Sequence, residues 1–589
     1  MTKRLSIILL LVGGFLLHSQ ETNESVFKTL KSNLTVSFES NSQWYVNDSK
    51  FGDFEEDEHL RTTNFLRLDY TISDRFSTGI QLESYAPKNL LNNSELYDED
   101  LELATYYLRY KTKSLDFTLG HYYAQFGSGL ILRAWEDRAL GINTALFGAK
   151  MVFSPHDAFR ITTLYGKQRK GFDLSEGEIF GANAELDLTN ALNIMRSSNL
   201  LLGLSYVGKK EDYRNLENLS VDAVPNIVNS FSGRLNFSHS NFYTDFEYVA
   251  KSDDIRLNNI IPNTVSFSEN QTFEGNAVSW TAGYSQKGFG VSYNFRRLEN
   301  MRLFSERAFG NANNNPTNQL SVNYLPALSK QHDYTLANIY LYQSQPGLFI
   351  ENYESPLIKA GEIGQFVDLF YNFKKGSFFG GKYGTKLNIN MSYWASLANN
   401  YSDPNGIPYF VSDDLTYETE FLNFKNKLYT DLNVEIRKKW NRRLRSIFTF
   451  INVFYNKSYL ESKADGSKVR AWIGVAESTY KFSKGNSVRL ELQHLSTNDD
   501  ARNWLGGTVE YFFNSKFGIY FNDSYNYEDS KIIQDTKIHF FNVGGSYTKG
   551  ATRLALNYGR QRGGLLCVGG ICRPVSQNTG LTLNFTSTF

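Results

Sequence analysis

Residues 578–589 read NTGLTLNFTSTF, and this stretch decides the fold. Leu581, Leu583, Phe585 and Phe589 alternate with Thr582, Asn584 and Thr586. A period of two, apolar then polar, is the pattern of a strand with one greasy face and one wet face. The chain ends on the aromatic Phe589 with no charged tail.

The same alternation recurs along the chain. Leu66, Leu68, Tyr70 and Ile72 alternate with Arg67, Asp69 and Thr71. Leu432, Val434 and Ile436 alternate with Asn433, Glu435 and Arg437, and Val488, Leu490 and Leu492 with Arg489, Glu491 and Gln493. Charges at this spacing fit a wet or charge-paired lumen, because lipid penalises an Arg or Lys at mid-depth by about 2–4 kcal/mol. Two packed sheets with a dry core would instead show fully apolar runs. Short turns alternate with long loops, the arrangement that places turns on the periplasmic rim and loops outside. The turns are rich in Lys and Arg, and several loops are acidic.

Counting hairpins gives a single antiparallel transmembrane barrel of about 26 strands, within about 22–26. Tyr334–Tyr342 reads as one of these strands, after a strand ended by Pro326. Trp44, Tyr106, Trp280, Trp394, Trp440 and Trp504 read as girdle aromatics at the membrane interfaces. Composition agrees with a half-wet, half-greasy chain. Aromatic residues are 15%, yet mean hydropathy is −0.40, and Lys plus Arg equal Asp plus Glu at 61 each. No basic excess calls for nucleic acid.

The first residues read as an export signal. Lys3 and Arg4 precede an apolar run, Leu5–Leu17, too short to span a bilayer comfortably, and Ser19 closes a cleavage site. The expected layout is a signal peptide over 1–19, a short periplasmic lead-in over 20–32 and the barrel over 33–589. The expected location is the Gram-negative outer membrane, with its lipid and lipopolysaccharide as partners.

Residues 121–150, HYYAQFGSGLILRAWEDRALGINTALFGAK, combine apolar and charged residues more densely than an outward loop needs. We expect the part near 124–145 to fold inward and narrow the lumen. Arg133 and Arg138 facing Glu136 and Asp137 would then set a field at the constriction. An ordinary strand pair with a capping cluster is an equal alternative. A second cluster, Arg296, Arg297, Glu299, Arg302, Glu306 and Arg307, reads as a self-paired solvated loop rather than a solute ladder. Cys567 and Cys572, in CVGGIC, read as a small-loop disulfide in an oxidising compartment, with Gly569 and Gly570 forming the turn. They lack the two further soft ligands a metal site needs. Asp403, Asp413 and Asp414 read as turn residues rather than calcium ligands. The chain carries no nucleophile elbow, phosphate loop or paired HxxxH, so no enzyme activity and no cofactor are expected.

The segments FGSGLILRAWEDRALG (126–141), YLPALSKQHDYTLANIYLY (324–342) and GEIGQFVDLFYNFKKGSFFGGKYGTKLNINMS (361–392), with the CVGGIC ending, resemble a family of large, functionally uncharacterised outer-membrane barrels of Bacteroidota. The terminal strand resembles the last strand of Gram-negative outer-membrane β-barrels, which implies that Leu581, Leu583, Phe585 and Phe589 form the signal read by the barrel-assembly machinery and that the strands upstream close a cylinder in lipid. These resemblances imply fold and location and carry no substrate. The leading functional expectation is a porin-like channel for polar solutes. The alternative is a loop-plugged scaffold whose partners are subunits of an envelope, secretion or surface complex.

Overall fold

The computed structural model describes residues 33–589, except 53, 55–57, 92–94, 98–100, 193–196, 213–224, 256–257, 262–263, 267–271, 308–319, 326–327, 343–360, 398–418, 461–466, 484, 501, 529–536 and 569–570. Alternation decides the architecture. Each strand has one face that avoids water, and each backbone must find ladder partners on both sides, so the sheet rolls until its ends meet. The result is a closed barrel of 24 antiparallel strands, each paired with its neighbours in chain order.

The seam joins the strand Leu34–Tyr45 to the strand Asn578–Thr588, with Ser42 opposite Leu583 and Trp44 opposite Leu581. It is locked at the chain end, where Val36 and Phe589 exchange backbone bonds of 3.2 and 2.8 Å. Phe38 and Phe585 add a ring contact at 5.9 Å across the seam. Leu581 and Phe589 lie exposed on the outer face. At the loop end, Arg560 holds Asp48 through two bonds of 2.8 Å, and Thr579 shares that carboxylate.

The outer face is an apolar band. Leu204, Phe231, Trp472, Leu490, Leu492, Leu505 and Phe521 are all exposed on it. The opposite residues of the same strands are buried or polar, as the strand Ser487–Ser496 shows: Glu491 and Gln493 are buried while Leu490 and Leu492 are not. No helix among the described residues is long and apolar enough to cross a membrane.

The count of 24 lies within the expected range of 22–26 strands. The expected strand Tyr334–Tyr342 is not among them, because residues 328–342 do not join the wall. Leu336–Asn338 form a single 3-10 turn within an irregular segment. Tyr334, Leu336, Tyr340 and Tyr342 are buried there against the inner face of strands. Their alternation records burial on an inserted segment rather than on a ladder. Two aromatics assigned to the interfacial girdle are also corrected. Trp394 is fully buried and Trp504 nearly so, both in that same inner cluster.

The band carries a direct expectation. Leu492→Arg, on the outward face, should destabilise the barrel in lipid vesicles by about 2–4 kcal/mol, read from its denaturant midpoint.

Candidate functional site: the loop-filled lumen

In part of the ring the inner wall changes character along a strand. In the strand Val469–Lys481, the buried face runs Val469, Ala471, Ile473, Val475 from the loop rim, then Glu477 and Thr479 toward the turn rim. The turn-side half carries paired charges. Arg489 bridges Glu477, Glu491 and Glu510, Arg437 meets Glu435 at 2.6 Å, and Arg67 meets Asp69 at 2.7 Å. The loop-side half is apolar because two chain segments fold onto it.

The first segment is 124–145. Two short hairpins shape it, Ala124–Phe126 with Leu132–Ala134 and Glu136–Asp137 with Ile142–Asn143. Phe126, Leu130, Ile131 and Leu132 are buried against Ile179, Val207, Val228 and Val249, which belong to four successive strands of the wall. At one end the Ser128 amide donates to Glu247 at 3.0 Å. At the other, Arg138 donates to Glu39 at 3.2 Å and to Gln81 at 2.9 Å. Glu39 and Glu247 lie on strands ten positions apart in the ring, Leu34–Tyr45 and Phe242–Ile255, so the segment lies inside the barrel.

The second inserted stretch is described over Met301–Arg307, Leu320–Leu325 and 328–342. Its first part knits to the first segment through the backbone. The Arg133 amide donates to Val322, and the Tyr324 amide to Gly129, at 2.9 and 3.3 Å. The Asn323 amide group reaches the carbonyls of Leu130 and Met301 at 2.8 and 2.6 Å. Gly129 has φ +99°, and a Cβ there would meet the Tyr324 carbonyl at 2.8 Å, so only glycine suits this crossing. The second part docks on the opposite wall. The Leu336 amide donates to Gln493 at 2.9 Å, Trp394 donates to Leu328 at 3.1 Å, and His332 meets Asn433 at 2.7 Å. Tyr342 hydrogen-bonds Glu362 and stacks between Trp394 and Tyr429.

Buried ion pairs fasten these segments. Arg307 reaches Asp254 at 2.8 Å and Glu211 at 3.2 Å, and Lys170 reaches Glu306 at 2.8 Å. Arg296 faces Glu362 at 3.7 Å and Arg297 pairs with Glu299 at 2.5 Å, nearly all of them buried. Of the cluster read as a solvated loop, Glu306 and Arg307 are therefore anchors between wall and inserted chain, while Arg296, Arg297 and Glu299 pair within the wall. Across the loop rim, Arg169 holds Glu83 in a bidentate pair at 3.0 and 2.6 Å, with both side chains buried. Sequence reading missed this pair. Its only signal was two charges on inward positions of non-neighbouring strands, which no local pattern connects.

The four residues expected at a constriction behave differently from one another. Arg138 and Glu136 meet at 3.2 Å. Burial opposes the Arg138 charge, but Glu136 and Glu39 outweigh it and hold its pKa above the ordinary arginine value. Asp137 caps a turn, accepting from the Leu140 amide at 3.1 Å. Arg133 sits over Trp135 and Tyr324, 4.8 and 4.9 Å from the ring centroids, and burial lowers its pKa. The structure thus joins Arg138 to Glu136 but gives Arg133 aromatic rather than acidic neighbours. Cys567 and Cys572 are direct cross-strand partners in the hairpin Gly564–Val568 with Ile571–Val575. Their side chains lie outside the described residues, as do Asp403, Asp413 and Asp414, and the proposed signal and lead-in over 1–32.

A model of a family of unknown function, DUF6029, matches residues 1–589. The chain belongs to that family. No curated protein matches it. Among solved structures, the siderophore receptor PirA from Pseudomonas aeruginosa aligns over 95% of this chain and 80% of its own, at 8% identity and TM-score 0.40. The translocation pore of the P pilus usher PapC aligns over 94% and 99%, at 9% identity and TM-score 0.42. The outer-membrane protein OpdK from Pseudomonas aeruginosa aligns over 84% and 100%, at 9% identity and TM-score 0.35.

Two expectations follow from the anchors. Arg169→Ala leaves Glu83 buried without its cation and should cost about 3–5 kcal/mol in equilibrium unfolding. Burial lowers the His332 pKa below its ordinary value, the Asn433 contact opposing in part. A depressed histidine pKa gives docking that is complete above the free value of about 6.5 and weakens as pH falls below it. Amide exchange of 328–342, corrected for its intrinsic pH dependence, should therefore quicken at acid pH, and His332→Gln should flatten that response.

Proposed function

We propose that this protein is an outer-membrane barrel offering a route for polar solutes, shut at rest by its own inserted segments. The observation that carries the reading is the span of 124–145 together with the described parts of 301–342, anchored from Glu39 to Glu247 and on to Gln493. The exposed apolar band supports residence in a bilayer. The paired charges of the turn-side half support a wetted vestibule rather than a dry core. Passage then needs the plug to shift, and the plug is held by charge pairs that a ligand or partner can compete for.

A second reading, a scaffold barrel that never opens, is favoured by the apolar contacts of Phe126, Leu130 and Leu132 with the wall. Dry packing of this kind holds without any signal.

Planar-bilayer conductance separates the two. The intact protein should show little steady current. Gly177→Val, whose side chain would collide with the backbone of Ser305, and Arg307→Ala should each unseat the second segment and raise conductance. Steady conductance in the unmodified protein would overturn the closed resting state. Silence in both folded variants would favour the scaffold.

A further inference from the structure

The turn joining the strands Gly361–Phe373 and Thr385–Ser396, residues 374–384, is longer than the tight turns beside it and is folded into a compact knob. The Gly376 amide donates to Gly381 at 2.9 Å, and the Gly381 amide donates back to Ser377 at 2.8 Å. The Thr385 hydroxyl and the Lys438 ammonium bind the Phe379 carbonyl at 2.6 and 3.1 Å. This fixed backbone presents two adjacent aromatics to the outside: Phe378 is 93% exposed and Phe379 64%. Nothing in the fold requires this exposure, and burial of such rings is strongly favoured.

The rings extend the lipid-facing surface. Tyr371 touches Phe373 at 5.0 Å between centroids, Phe373 touches Phe379 at 5.5 Å, and Phe379 touches Phe378 at 5.1 Å. On the next turn, Trp440 is exposed beside Lys438. The knob therefore leans along the outer face and away from the lumen mouth. Its charged side chains are all cations. Lys374, Lys375 and Lys382 are exposed on it, and Lys439, Arg442 and Arg443 on the neighbouring turn. Residues 372–386 and 438–446 contain no Asp or Glu. Among the described residues, none of these six cations has a carboxylate partner.

We infer that the two turns form a membrane-surface foot, with Phe378 and Phe379 inserted at the interface and the cations bound to the phosphates of anionic phospholipids. Exposed rings continuous with the apolar band seek the acyl boundary, and unpaired cations just beyond them sit at headgroup depth. This assigns a role to the basic turn rim. The inference rests on the reading that the band lies in a bilayer.

The test uses the full-length protein with Phe378→Cys in a Cys567→Ser, Cys572→Ser background, carrying a nitroxide label. It is reconstituted in phosphatidylcholine vesicles with or without phosphatidylglycerol. A label introduced through Leu490→Cys in the same background reports the mid-band. The label at 378 should be relaxed by oxygen and shielded from a water-soluble nickel chelate. Phosphatidylglycerol should immobilise it further. Each of Lys374→Gln, Lys375→Gln and Lys382→Gln should weaken that phosphatidylglycerol response about fivefold, and salt should weaken it too. Oxygen contact at 490 with nickel contact at 378 in both lipids would overturn the foot alone and point to a protein partner there. Insensitivity of the 378 label to phosphatidylglycerol would refute the phosphate role. Nickel contact at 490 would instead bring down the bilayer reading beneath both.

Discussion

Everything in this molecule depends on closing the backbone ladder. An apolar band can face lipid only if no strand edge is left with bare amide and carbonyl groups, because hydrocarbon offers them no partner. The pairing of Leu34–Tyr45 with Asn578–Thr588 meets that condition. The first and last strands lie more than five hundred residues apart, so the closure is the least local contact in the chain. The Val36–Phe589 exchange and the Asp48–Arg560 pair fasten its two ends. The terminal aromatic is thus also the last rung of the seam.

A ring of 24 strands encloses more space than its inward side chains can fill. The chain fills the loop-side half with itself. Apolar positions such as Ile179, Val207, Ile473 and Val475 accept the inserted segments, and buried pairs such as Arg307 with Asp254 fix where they sit. Buried pairs add little net stability over apolar substitutes, but breaking one partner is costly. They act here mainly as register marks for segments that would otherwise slide on a greasy surface.

The wall was legible in the sequence because period-two alternation and turn spacing are local signals. Strands such as Ser487–Ser496 can be read from their own residues, with Glu491 inside and Leu492 outside. The lumen was legible only in part. The density of apolar and charged residues in 126–138 marked a segment with an unusual environment, but its partners, Glu39, Gln81 and Glu247, come from distant strands. Tyr334–Tyr342 misled because alternation reports amphipathic burial and not the hydrogen bonding of a ladder. Trp394 and Trp504 misled for a related reason. An aromatic near a strand end suits an interface equally whether it points out to lipid or in to a plug, and only the facing segment decides.

The plug has no separate existence. The segment 124–145 is continuous with wall strands at both of its ends, Leu115–Tyr122 and Leu146–His156, unlike a folded domain hung from a single linker. A displaced segment therefore remains tethered at high effective concentration beside its own cradle. Reseating of that segment is a unimolecular event, indifferent to how many copies of the protein are present.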